Sequence, residues 1–251
     1  KLGFEALAAA GAVEVALYDL WGKLEGCSVT EFFGGRKQVT VCCYGSAGMY
    51  QSAESYAQEA AAVCELGFSA YKYRPALGPA EDLRTVELMR QAVGPEVGLC
   101  LDAHGWWRMG DKSYDASTIE TLAHDIAPFG ITWLEEPLPL DDDSSYAKLR
   151  SQEIVPIAAG EHEHDLAGFE RLVESGSVDI AQADVSHHGG FSGVSDILKL
   201  CERSGVTFAF HNWGTALETV VDAPIGSCFP RETARWLEYP QYAHRDSRVM
   251  Y

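Results

Sequence analysis

Seven times along this chain a short apolar run ends in an ionisable residue. Lys72 closes SAYK, Asp102 closes VGLCLD, Glu135 closes ITWLE, Glu161 closes IAAGE, Asp184 closes DIAQAD, His211 closes TFAFH and Glu238 closes RWLE. By subtraction of residue numbers, successive members lie 30, 33, 26, 23, 27 and 27 residues apart. Each interval has room for one strand and one helix, the repeat expected of a parallel sheet. The stretch Ile131 to Pro137, ITWLEEP, shows the pattern most plainly: an apolar run stops where two carboxylates and a proline emerge.

The intervals carry helical periodicity. A helix is expected over about 53–65 and another near 81–93, where Leu83, Val86, Met89 and Val93 share a side. Ile119, Leu122 and Ile126 mark the next, a short one centres on Tyr146, and Leu166, Phe169, Leu172 and Val173 form a fourth stripe. Val194, Ile197, Leu198 and Cys201 follow the i, i+3, i+4, i+7 rule, whereas the segment through Ile225 is less periodic. An eighth strand candidate, VTVCCY, begins near Val39. Eight short strands alternating with helices predict an α/β fold, a TIM-like (β/α)7β barrel, and 251 residues suit one such domain.

The chain opens in a helix on which Leu17, Leu20, Trp21 and Leu24 make one apolar stripe that needs a partner. GCSV and FFGGRK then break the pattern, so residues 1–38 read as the tail of a larger domain and a linker, with the barrel and its C-terminal segment over 39–251.

The charge balance of 37 acidic against 19 basic residues, net -18, repels phosphate backbones and anionic membrane surfaces. Nucleic acid and membranes are therefore excluded as expected partners. No apolar run reaches the roughly 18 residues of a membrane helix, and KLGFEALAAAG lacks a signal peptide's layout. Seven cysteines without a CxxC pair fit a reducing compartment, so a soluble cytoplasmic protein is expected.

In such a barrel the carboxyl ends of the strands converge on one face. Asp102, Glu135 and Glu161 end three consecutive strands, and three gathered carboxylates repel one another unless a cation joins them. Oxygen-only ligands favour a hard ion such as Mg2+ over zinc. Asp184 and His211 end the next two strands, where a carboxylate could orient an imidazole as a general base. His104 stands two residues beyond Asp102, within reach to act as an acid on a bound substrate. Lys72 and Arg74 alternate along one strand, point the same way, and would supply cations for a substrate carboxylate. His124, His187, His188 and His244 read as ordinary structural histidines. His162 and His164 suggest a zinc pair, but no cysteine or third histidine has helpful spacing. Trp106, Trp107, Trp133 and Trp213 read as packing residues that could also wall a pocket.

Taken together and in order, these strand ends resemble the enolase superfamily, and within it the mandelate racemase-like subgroup. The resemblance covers essentially the whole chain. The opening GAVEVALYDLWGKLEG is similar to the last helix of that family's α+β capping domain, so the barrel is expected to follow the tail of such a domain. The resemblance implies metal ligands at Asp102 in LDAHG, Glu135 in WLEEP and Glu161 in AAGEH. It implies a His-Asp dyad of His211 in FHNWG with Asp184 in QAD, and a carboxylate-binding Glu238 in WLEYP. One position departs: the subgroup's racemases carry Lys-x-Lys on the second strand, with the second lysine a base, and here the pattern is Lys72-Tyr73-Arg74. Arginine stays protonated and is a poor base, which argues against two-base racemisation. Asp102-x-His104, by contrast, is similar to the family's sugar-acid dehydratases, in which that histidine protonates a departing hydroxyl.

The expectation is a Mg2+-dependent dehydratase of a sugar acid, aldonate or aldarate, giving a 2-keto-3-deoxy acid. Its partner would be a small-molecule carboxylate, and a homo-oligomer is expected. Three alternatives stand beside it: a racemase or epimerase of a 2-hydroxy acid, a non-catalytic metal-binding member, and an unrelated barrel hydrolase using His162 and His164 with zinc.

Overall fold

A computed structural model of the chain describes residues 4–49, 51–213 and 216–241. His244 and the rest of the C-terminal segment from 242 lie outside them. Two helices come first, α1 (Phe4–Glu25) and α2 (Val29–Phe32). The barrel then runs β1 (Cys42–Met49), α3 (Ala53–Glu65), β2 (Ala70–Arg74), α4 (Pro79–Val93), β3 (Gly98–Asp102), α5 (Ala116–Ile126) and β4 (Ile131–Glu135). It continues with α6 (Asp143–Arg150), β5 (Ile157–Ala159), α7 (Leu166–Glu174), β6 (Ile180–Ala183), α8 (Gly190–Ser204), β7 (Thr207–Phe210), α9 (Ala216–Ser227) and β8 (Ala234–Pro240). All pairings are parallel, and β1 closes on β8 with Tyr44 opposite Glu238. The architecture is the expected (β/α)7β barrel.

Side-chain alternation divides the core in two. One set of residues packs between strands and helices. The other fills the barrel and takes one residue from each strand: Tyr44, Ala70, Cys100, Trp133, Ala158, Ile180, Ala209 and Trp236. The helices start where capping chemistry allows. Ser52, Asp115, Asp142 and Asp165 each accept a backbone N–H of the first turn of α3, α5, α6 and α7.

One expectation shifts. The first strand starts at Cys42 rather than near Val39, and Val39 is 90% exposed. Pairing with β8 begins only at Cys42 opposite Trp236, while the preceding Lys37 and Gln38 N–H groups bond to Ser227 O. The less periodic segment through Ile225 forms α9, with Pro224 inside it.

The opening helix packs by a different face from its Leu/Trp stripe. Gly11, Tyr18 and Gly22 turn inward, and Tyr18 meets Phe191 of α8 edge-on at 5.7 Å. A Cβ at Gly11 would stand 2.7 Å from Gly190 N, so glycine is what lets the two helices approach. Glu14 Oε2 accepts the Ser192 N–H at 3.1 Å. Leu17, Leu20 and Leu24 remain exposed among the described residues, and Trp21 is half-exposed beside Phe32. All seven cysteines are free thiols. Among the described residues no helix is long and apolar enough to cross a membrane.

Candidate active site

Two residues beyond the apolar plug, on the same faces of their strands, stand Lys72, Asp102, Glu135, His211 and Glu238. The barrel interior thus changes from apolar to ionic in one step of the pleat. Lys72 lies at the centre. Its Nζ is 2.8 Å from Glu135 Oε1, 3.0 Å from Glu238 Oε1 and 3.8 Å from Asp102 Oδ2, with the lysine and both glutamates fully buried. Burial alone would push the ammonium toward neutrality, but the Glu135 and Glu238 charges outweigh it and hold the pKa well above its ordinary value. Burial raises the Glu135 carboxyl to about 7 in spite of Lys72. Trp133 Nε1 donates to Glu135 Oε2 at 2.9 Å, and the Glu238 Oε2 accepts Tyr44 Oη–H at 3.2 Å and Asn212 N–H at 2.9 Å.

Arg74 points into the same mouth, its Nη2 3.0 Å from Asp102 Oδ2 and its guanidinium 4.4 Å from the Trp213 ring centroid. Asp102 also accepts His104 Nδ1 on Oδ1. Burial opposes ionisation of Asp102, but Arg74 and His104 together hold its carboxyl well below the usual range. For His104 burial again opposes the charge, and the Asp102 carboxylate outweighs it, so the ring's pKa is raised.

Glu161 reaches the mouth by a break in alternation. Ala158 points into the barrel and Gly160 would follow, but Gly160 has φ +137° and a Cβ there would stand 2.6 Å from Gln182 O. Only glycine fits, and the turn it makes delivers Glu161 Oε2 to 2.9 Å from His211 Nε2. The other ring nitrogen, Nδ1, lies 3.2 Å from Asp184 Oδ2. Burial disfavours a charged His211, but carboxylates on both sides hold its pKa well above the ordinary value. The charge of His211 helps bring the Glu161 carboxyl down to about 2 against its burial.

The sequence-derived site residues therefore share the mouth of the barrel. Their carboxylates supply oxygen donors of the kind a hard divalent cation takes. Asp102 Oδ2 and Glu161 Oε2 accept no hydrogen bond although they are buried and face cations. Each Glu135 oxygen uses one lone pair, on Lys72 or Trp133, and keeps a second. An all-carboxylate donor set suits a hard ion. Asp102 and Glu135 are tied to Lys72 and Arg74, however, whereas Glu161 is tied to His211 and to His162, whose Nδ1 is 3.4 Å from Glu161 Oε1. Among the described residues, the group whose ligand atoms lie within 4.8 Å of one another is Glu136, Glu161 and His162. It shares Glu161 with the expected set.

Sequence reasoning missed two contributors. Glu136 is 1% exposed, adopts φ +42°, and its oxygens lie 2.9 and 3.1 Å from His162 Nδ1. The doubled carboxylate before Pro137 was its only signal. His187, read as structural, gives Asp184 Oδ1 both its backbone N–H and its Nδ1, each at 2.8 Å. Its place three residues after a site carboxylate, in a turn, was the available clue. His188 is buried, and its Nδ1 accepts the Asp184 N–H at 3.1 Å.

A family model described as Enolase C-terminal domain-like matches residues 55–250, and the chain belongs to that family, within the enolase superfamily. Among its relatives, D-galactarolactone cycloisomerase of Agrobacterium fabrum is 33% identical over 217 residues, 84% of this chain and 55% of that protein. L-rhamnonate dehydratase of Saccharopolyspora erythraea is 34% identical over 214 residues, 82% of this chain and 50% of the relative. The crystal structure of the 3,6-anhydro-D-galactonate cycloisomerase from Zobellia galactanivorans matches with a TM-score of 0.84 and 30% identity, covering 94% of this chain and 64% of that one. The chain spans about half the length of the curated relatives it matches.

Proposed function

We propose that residues 39–251 form the barrel domain of a Mg2+-dependent acid-sugar dehydratase, and that residues 1–38 are the end of its capping domain and a linker. The observation that carries this reading is the His211 ring, held by Asp184 at Nδ1 with Nε2 facing the mouth of the barrel. The relatives named as dehydratases of L-rhamnonate, D-gluconate and D-xylonate support the substrate class.

A proton alpha to a carboxylate is very weakly acidic, so its removal needs positive charge where negative charge develops. A magnesium ion held by Asp102, Glu135 and Glu161 would supply that charge. Lys72 and Arg74 bind and orient the substrate carboxylate as fixed cations. Sites of the enolase superfamily pair a Lys or His base with magnesium in this way. In its neutral form, with Nε2 released from Glu161, His211 takes the alpha proton on Nε2, while Asp184 keeps Nδ1 protonated and steadies the cation that forms. His104, its pKa raised by Asp102, carries the proton that the leaving beta-hydroxyl needs. Glu238 hydrogen-bonds to the enediolate as negative charge develops on the substrate carboxylate.

A second reading has an observation in its favour, the likeness to two cycloisomerases. An isomerase would share the proton abstraction but release no water.

The test is incubation of the full-length protein with magnesium in heavy water, with L-rhamnonate, D-gluconate, D-xylonate and D-galactarolactone, followed by mass spectrometry. Loss of water from one acid is expected. Deuterium gain without loss of water would replace the dehydratase by an isomerase, and no change with bound magnesium would favour a non-catalytic member.

A further inference from the structure

We propose that His187 is a positioning residue for His211, acting through the carboxylate of Asp184. The inference rests on the reading of His211 as the base. An ionised carboxylate has about four lone-pair sites on two oxygens, and here the two oxygens are divided between two histidines. Oδ1 accepts the backbone N–H and the Nδ1–H of His187, both at 2.8 Å. Oδ2 accepts His211 Nδ1–H at 3.2 Å. The third imidazole nearby is no competitor: His188 Nδ1 stands 3.7 Å from Oδ2, beyond hydrogen-bond range, and accepts the Asp184 N–H instead.

The His187 bonds are the shorter ones, so they fix the plane of the carboxylate and thereby the direction in which Oδ2 presents itself. The turn behind is fixed separately, because buried Asp222 Oδ1 accepts the Val185 N–H at 2.9 Å. Removing the His187 ring leaves Oδ1 a single backbone donor and lets the carboxylate swing about its Cβ–Cγ bond. His211 then loses the partner that selects its Nδ1–H tautomer, and the proton acceptor at Nε2 with it. The His187 side chain is 34% exposed, so its replacement opens no core cavity.

The geometry of the amides provides the test. The nitrogen of an asparagine side chain stands where His187 has Nδ1, whereas that of glutamine reaches toward the Nε2 position. His187→Asn therefore keeps the donor to Asp184, and His187→Gln and His187→Ala do not. Two readouts are taken on the full-length magnesium-loaded protein: 15N chemical shifts of the His211 ring, which need no substrate, and alpha-proton exchange on the panel of four compounds in heavy water.

In His187→Ala and His187→Gln we expect the His211 Nδ1–H form to fall. Turnover drops roughly 10- to 100-fold, the size typical when a supporting hydrogen bond to a site ligand is lost, with KM changed by less than about twofold. In His187→Asn both readouts stay near wild type. Unchanged His211 shifts in His187→Ala would overturn the inference, as would equal losses in all three variants, the mark of a merely structural role. A wild type that exchanges no proton on any compound would sink the dehydratase and isomerase readings alone, and the 15N shifts would still decide the role of His187.

Discussion

Lys72 Nζ lies 2.8 Å from Glu135 Oε1 with neither side chain reaching solvent. The ammonium is the counter-charge for a layer that also includes Glu238 and Asp102. Removing one partner of a buried ionic group leaves the others uncompensated, at a cost of about 3–5 kcal/mol. Lys72→Met is therefore expected to lower stability by that amount in urea unfolding without magnesium, and by less with magnesium present. The double variant Lys72→Met/Glu135→Gln should recover part of the loss, because it removes a charge that the lysine balanced. A double variant as unstable as the sum of the two single variants would show that the two residues are not coupled.

His211→Asn keeps a polar side chain but loses the nitrogen placed to accept a proton. Alpha-proton exchange should fall by about 10^2- to 10^4-fold, the usual contribution of a general base. Magnesium affinity, read by calorimetry, should persist because Asp102, Glu135 and Glu161 are untouched. An active variant would remove His211 from the role.

Asp82 ties the loop after β2 to the loop after β3. One of its oxygens accepts the Ala76 and Leu77 N–H groups at 3.0 and 2.8 Å, and the other accepts Trp106 Nε1–H at 2.9 Å and Tyr114 Oη–H at 2.8 Å. Asp82→Ala strands these donors, of which Trp106 Nε1 is fully buried, those of Ala76 and Tyr114 are half-buried and that of Leu77 is on an exposed residue. Each unsatisfied buried group costs about 1–3 kcal/mol, so a combined loss of about 3–5 kcal/mol in unfolding free energy is expected after partial relaxation. A loss within 1 kcal/mol of wild type would mean that solvent reaches these groups.

Asp222 gives a pH dependence of definite sign. Burial, followed by the charge of Asp184, raises its folded-state pKa well above the ordinary carboxyl value of 3.8. The folded protein therefore binds this proton more tightly than the unfolded chain. The stabilising contribution is complete below about pH 3.8 and is lost as pH rises through the folded pKa. Asp222→Asn keeps an oxygen for the Val185 N–H and does not titrate. Within that window its stability relative to wild type should grow by up to about 1.4 kcal/mol per pH unit in urea midpoints. A gap that is flat or shrinks with pH would contradict the buried-carboxyl assignment.

The fold was legible in the sequence because the strand ends repeat at the length of one strand and one helix. The inward-facing site residues followed for the same reason: an inward side chain at Trp133 puts Glu135 inward two positions on. What alternation alone does not give depends on backbone angles that break it. Glu161 enters the mouth through the φ +137° of Gly160, and Glu136 turns toward His162 with φ +42°. The spacing of strand ends placed Glu161, whereas Glu136 had no counterpart in any repeat. His187 was hidden for a further reason, since an Asp184 contact made inside a turn leaves no periodic trace. The opening helix shows the limit of periodicity alone. Its Leu/Trp stripe is real, yet the face that meets the barrel is the one where Gly11 permits close approach to Gly190, while Gly22 makes room for the turn at Cys27.

The closure of β1 on β8 has a mechanical consequence. Every strand has two neighbours, so the sheet offers no exposed row of N–H and C=O groups for an extended peptide to join. Tearing out any one strand would create two such rows at once and uncover the apolar plug formed by Tyr44, Trp133 and Trp236. The ring is therefore intact or broken, with no profitable halfway state, and whatever associates with this surface must do so through helices and loops.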